Sequence, residues 1–245
     1  MNPSPQAIWS AQRSRLSRQL QLLYKLDEHG HRIYDESTGE QIVDLNRAPA
    51  VLADVGVPRR MAEATFASAE FADAENVKQW YADVLAGMDV GHLGLIMGNG
   101  SSYVAAAALR TAVRRGKTVA WYSWHDFTSR YTDAIDRSRL LSSGNAEEMS
   151  VAATETDDAR EEDFRLSHVY EVLALTAFDL NDVRDFAVPE IIALLTARID
   201  ADLVTIITVS AANSGPLEEP AHRFGARGSL LRKFEDEAVV IDGRE

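Results

Sequence analysis

The groups best placed to do chemistry lie in residues 93–123, LGLIMGNGSSYVAAAALRTAVRRGKTVAWYS. An apolar strand runs into a glycine turn that opens a helix, an order that points several backbone N–H groups at one anion. Gly98, Asn99 and Gly100 make the turn, Ser101 and Ser102 start the helix, and Ser102 provides the hydroxyl that completes a phosphate loop. The lysine that should precede this hydroxyl is missing, because Ser101 stands there. No neighbouring cation replaces it: Arg110 lies roughly 12 Å further along the helix at 1.5 Å per residue, and Lys117 follows its far end. Such a loop holds a nucleotide weakly or not at all. It also reads as the plain strand-to-helix turn of a doubly wound sheet.

The elements that must position this loop alternate along the chain. Apolar strands are expected at 93–97, 118–123, 169–175, 203–209 and 238–241, with helices at 102–114 and 186–198. Strands that are apolar throughout and separated by amphipathic helices imply a mainly parallel sheet covered on both faces. Upstream, Asn76 is placed to cap a helix carrying Val77, Trp80, Tyr81, Val84 and Leu85, which Gly87 ends. RIYDESTGEQIVDL (32–45) alternates about a Ser-Thr-Gly turn as a hairpin does, and NRAPAVLADVGVPRR reads as a linker. A boundary near Asp54 divides an N-terminal helix and hairpin module, 1–54, from the main α/β domain, 55–245.

With 245 residues and 46% apolar content the chain can bury a sizeable core. It has no cysteine, and His29 and His31 are its one close histidine pair, so no metal centre is expected. No apolar run approaches a membrane span and no leader is evident, so a cytoplasmic protein without a membrane partner is expected. A formal charge of −13 argues against a surface that coats nucleic acid. The charge is unevenly placed: residues 1–26 carry Arg13, Arg15, Arg18 and Lys25 with no acid, whereas 144–163 holds eight acids against one arginine. Trp9, Leu16, Leu20 and Leu23 fall near helical spacing among those arginines, a basic amphipathic face able to dock on a partner or on its own domain. Ser123, His125 and Asp126 are adjacent in sequence, which is not the spatial arrangement a hydrolase triad requires.

The segment order resembles the AAA+ ATPase domain of bacterial DnaC/DnaI-type helicase loaders and the related IstB transposition helpers, from about Val57 to the C-terminus. The resemblance starts at Val57-Pro58-Arg59-Arg60 with Ala64-Thr65-Phe66 and passes through the glycine turn to Arg114-Arg115-Gly116-Lys117-Thr118-Val119. Val169–Leu175 takes the place of the Walker B strand, Phe186–Arg198 that of the arginine-bearing helix, and Thr205–Ser210 that of the sensor strand. It implies a three-layer P-loop (AAA+-like) fold, with Thr208 and Ser210 at the sensor position. Gly225–Phe234 resembles the family's C-terminal arginine segment, which makes Arg232, then Arg227, the candidate arginine finger reaching a neighbouring subunit.

Departures from the family pattern fall where hydrolysis would occur. The Walker B strand should end in two acids that hold magnesium and polarise water; Thr176 and Ala177 stand there, with Asp179 and Asp182 a few residues on. Losing lysine and both acids removes charge compensation for the phosphates and the metal. The resemblance therefore implies a pseudo-ATPase, a degenerate and phage-type relative of helicase loaders. No cofactor is expected, ATP with magnesium binding weakly at most. The implied partner is a replicative DnaB-type helicase or its loader, engaged through Trp9, Arg13, Arg15, Leu16, Arg18 and Leu20. A homo-oligomer, a DNA contact and an active ATP-dependent loader or transposition helper with an atypical loop remain alternatives.

Overall fold

The computed structural model describes residues 22–29, 31–35, 37–39, 41–141 and 162–244, with backbone only at 132 and 134–141. Five strands form one sheet: β1 (Leu93–Met97), β2 (Val119–Ser123), β3 (Val172–Thr176), β4 (Val204–Val209) and β5 (Ala238–Asp242). All pairings are parallel and the order is β2-β3-β4-β1-β5, which puts β1 between β4 and β5. The expected mainly parallel sheet is thus parallel throughout.

Each strand feeds two cores, because successive side chains point to opposite faces. Ile96, Ala174, Ile206 and Ile241 face one core. Leu95, Met97, Leu173, Leu175 and Ile207 face the other. The first face is covered by α1 (Ala48–Asp54), α2 (Ala74–Leu85) and α3 (Ser101–Arg114). The second is covered by α4 (Trp124–Leu141), a helix at 162–168, α5 (Val188–Asp200) and α6 (Gly228–Glu237). The alanine run at 105–108 keeps α3 slim, and all four residues are buried.

Three local expectations change. The stretch read as a linker is helical at α1 and again at Arg59–Ala62, because Val51, Leu52 and Met61 find a core to enter. Helix α2 begins at Ala74 after Asp73, and Asn76 instead donates its side-chain amide to Asp73 Oδ1 at 2.8 Å. Strand β3 starts at Val172 rather than 169, since the carbonyl of Tyr170 is taken by Arg198. The hairpin forms, with Tyr34 opposite Gln41, and a third segment joins it through the antiparallel pair Tyr24 and Val43.

Arg198, fully buried on α5, has a structural task. Nε donates to Thr205 Oγ1 at 2.8 Å, Nη2 to the Val204 carbonyl at 2.7 Å, and Nη1 to the carbonyls of Leu166 and Tyr170. It joins the end of the 162–168 helix to the start of β4. Burial pushes its guanidinium down to about 9, so the group stays charged at neutral pH.

Candidate functional site

The glycine turn emerges at the carboxyl end of β1, flanked by strands on both sides. Gly98 N–H donates to the Val209 carbonyl at 2.9 Å, and Gly243 N–H donates to the Met97 carbonyl at 2.9 Å. Gly98 and Gly100 have φ of +124° and +84°, conformations that favour glycine. A Cβ on Gly100 would lie 2.3 Å from the Glu70 carbonyl oxygen, and one on Gly98 would lie 2.9 Å from the Gly243 backbone. The turn is therefore clamped between two backbone segments.

Its length is the feature that sequence reading missed. β1 ends at Met97 and α3 starts at Ser101, so three residues connect them. A phosphate loop of the form G-x-x-x-x-G-K-[ST] has four residues between its glycines, whereas Asn99 alone separates Gly98 from Gly100. The glycine count was visible in the sequence; the shortening shows only when the glycine before the hydroxyl is aligned and the spacing counted. The connection is shorter than a loop of that form. Two N–H groups in the first turn of α3 are bonded back to the connection, Ser101 N to the Gly98 carbonyl at 3.4 Å and Tyr103 N to the Gly100 carbonyl at 2.9 Å.

The cations Arg110 and Lys117 are engaged elsewhere. Ser101 itself is 4% exposed. Arg110 donates to the carbonyls of Glu63 and Ala64, and Lys117 pairs with Glu171 at 2.6 Å. A cavity of about 400 Å3 beside the turn is lined by Ser68, Glu70, Asn99, Gly100 and Tyr103, which contribute one carboxylate and no positive charge.

Ser102 and Thr208 are brought together, their hydroxyls 3.3 Å apart across α3 and β4. Thr208 Oγ1 also accepts from Ala177 N–H at 3.2 Å, just beyond β3, where Ala177 has a positive φ of 59°. The three elements that a P-loop site would bridge through magnesium are here joined directly by hydroxyls. Asp179 accepts from Asn181 N–H within its own turn, and Asp182 faces His125 at 3.3 Å. Ser210 opens the turn at Ala211–Asn213 and takes no part in the hydroxyl cluster. Ser123 caps α4 through Asp126, donating to Oδ2 at 2.6 Å and accepting from its N–H at 3.0 Å.

The two arginine candidates differ. Arg227 is half-buried, 3.4 Å from Asp185 and bonded to the Leu180 carbonyl. Arg232 is exposed on α6 and donates to Ser229 Oγ at 3.4 Å. Trp9, Arg13, Arg15, Leu16, Arg18 and Leu20 lie outside the described residues. Among the described residues no group of metal-ligating side chains could hold an ion, and no helix is long and apolar enough to cross a membrane.

A parallel sheet in this order, with a glycine turn between the interior strand β1 and a helix, is the three-layer P-loop type of fold expected above. Solved structures bear this out: the chain is similar to AMPPCP-bound DnaA from Aquifex aeolicus, with 13% identity and a TM-score of 0.53 over 74% of this chain. It is similar also to DnaI, with 15% identity and a TM-score of 0.50, over 77% of this chain and 92% of that one. The chain spans half the length of that DnaA. At such identities the likeness is one of fold. No family model and no curated protein matches the sequence.

Proposed function

We propose that this chain is a DNA-replication accessory protein, an AAA+ shell with a degenerate nucleotide site, that acts by binding a replicative DnaB-type helicase or its loader. The observation that carries this reading is the three-residue connection from β1 to α3, without a lysine and with Ser102 and Thr208 already joined. Binding and splitting ATP needs donors around the phosphates, a cation beside them and carboxylates for the metal. This site offers two hydroxyls and a buried serine. The six segments that resemble helicase loaders, and the fold shared with DnaI, support a role in the same process without the chemistry. The basic segment around Arg13, Arg15 and Arg18 is the docking element in this proposal.

Calorimetric titration of the full chain with ATP and magnesium is expected to show no binding tighter than about 1 mM, a free energy of roughly −4 kcal/mol. Mass photometry with a DnaB-type helicase is expected to show a complex that Arg13→Glu with Arg15→Glu disrupts. Micromolar ATP affinity with turnover abolished by Ser102→Ala would establish an active loader instead. Failure to form any helicase or loader complex would remove the proposed partner.

A further inference from the structure

On the sheet face opposite α3, a trough runs between α4, the 162–168 helix and α5. It measures about 250 Å3 and is lined by Tyr131, Phe164, Glu190, Ala193, Leu194 and Ala197 among others. Phe164 is 59% exposed, more than any other large apolar side chain among the described residues. Glu190, Ala193, Ala197 and Asp200 follow at three-, four- and three-residue steps, which lines them up along α5. Small side chains in the middle of that stripe let a second helix come close. The acids at its ends stand roughly 15 Å apart at 1.5 Å per residue. Neither Glu190 nor Asp200 has a basic partner among the described residues.

We propose that this trough receives residues 9–20 of a second copy of the chain. Charge is the first reason. Residues 1–26 sum to +4, from Arg13, Arg15, Arg18 and Lys25, and since the whole chain is −13 the remainder is −17. This acid-free basic segment and the acid-edged trough are thus complementary. Pattern is the second: Trp9, Leu16 and Leu20 give that segment the apolar stripe that a three-helix trough with an exposed phenylalanine can bury. Reach is the third, and it makes the donor another molecule. Leu23 is buried in the core of α1 and α3, on the far side of the sheet from the trough. Residues 21 and 22 bridge about 11 Å at 3.8 Å per Cα step, against roughly 20 Å for two layer spacings. A chain cannot fill its own trough, whereas two copies can exchange these segments, each giving one and receiving one, and so close a dimer.

Sedimentation velocity of the full chain between about 1 and 100 μM tests this. A concentration-dependent dimer is expected, weakened at least tenfold by Ala193→Glu and separately by Arg13→Glu with Arg15→Glu. Combining the arginine reversals with Glu190→Arg and Asp200→Arg should restore it. Excess synthetic peptide of residues 1–26 should dissociate the wild-type dimer. An unchanged thermal midpoint shows that Ala193→Glu, at an exposed position, still folds. Because that variant leaves residues 9–20 intact, it should abolish the dimer and spare a helicase complex, which separates this proposal from the functional one. A monomer at every concentration, or a dimer indifferent to all these changes, overturns it.

Discussion

Ser101→Lys tests whether a missing lysine or a short connection disables the nucleotide site. If lysine alone were lacking, restoring it should create binding, since its ammonium supplies the charge that β- and γ-phosphates need. The geometry gives the opposite expectation. Ser101 is 4% exposed at the first position of α3, so a lysine stem would enter occupied space. Overpacking of that kind costs about 1–3 kcal/mol. A cation at a helix N-terminus adds about 0.3–1 kcal/mol more through the helix dipole. At about 2–4 °C per kcal/mol for a chain of this size, the melting midpoint should fall by roughly 3–15 °C. The three-residue connection stays as it was, and ATP affinity should remain weaker than about 1 mM. Thermal unfolding and calorimetric titration of the same preparation read both quantities. An ATP dissociation constant near 10 μM, with an unchanged midpoint, would show that the connection is long enough and that the cation was all the site lacked.

Gly94→Ala should cost about 1–3 kcal/mol in urea unfolding, because a Cβ there would lie 2.4 Å from the Trp80 ring; pairing it with Trp80→Leu should recover part of the loss. Arg198→Ala should cost about 3–5 kcal/mol by the same measurement, as it leaves buried carbonyls of Leu166, Tyr170 and Val204 without a donor. For pH, Arg244 hydrogen-bonds Asp242 and holds its carboxyl below the usual 3.8. A depressed carboxylate contributes stability that is full above 3.8 and lost as pH falls through its folded value. NMR titration should show the Asp242 carboxyl shift and the Arg244 guanidinium resonances moving together below pH 3.8, and Arg244→Ala should return Asp242 to an ordinary titration.

The sheet was legible because strands buried on both faces must be apolar throughout, as LGLIM, VLALT and VTIITV are. Strand order was not legible from periodicity, which says nothing of neighbours. The helix at Ala48–Asp54 escaped because Pro49 and the short apolar run look like loop chemistry, while the core that recruits Val51 and Leu52 is assembled from residues far along the chain. Arg198 could be placed on a helix but not given a role, since its four acceptors come from three separate elements. At the glycine turn the residue types misled more than they informed. They pointed to the absent lysine, and the spacing, which decides whether any phosphate could be enclosed, was passed over.

Thr208 joins the groups at this end of the sheet. A P-loop site collects donors and carboxylates around a cation, and deleting the cation alone would leave those groups repelling or unpaired in a dry place. Here the groups at the sheet end are neutral and bonded to one another. β3 ends in neutral Thr176 and Ala177, Ala177 N–H finds Thr208 Oγ1, and that same oxygen meets Ser102 Oγ. Thr176 Oγ1 in turn donates to the Tyr122 carbonyl at 3.2 Å. Neutral hydroxyls need no counter-ion, so their burial costs far less than that of an unpaired carboxylate. Acids placed at 176 and 177 would find no lysine at position 101 to answer them. The neutral residues at 101, 176 and 177 are therefore mutually consistent, which accords with the proposal of a shell that acts through its surfaces.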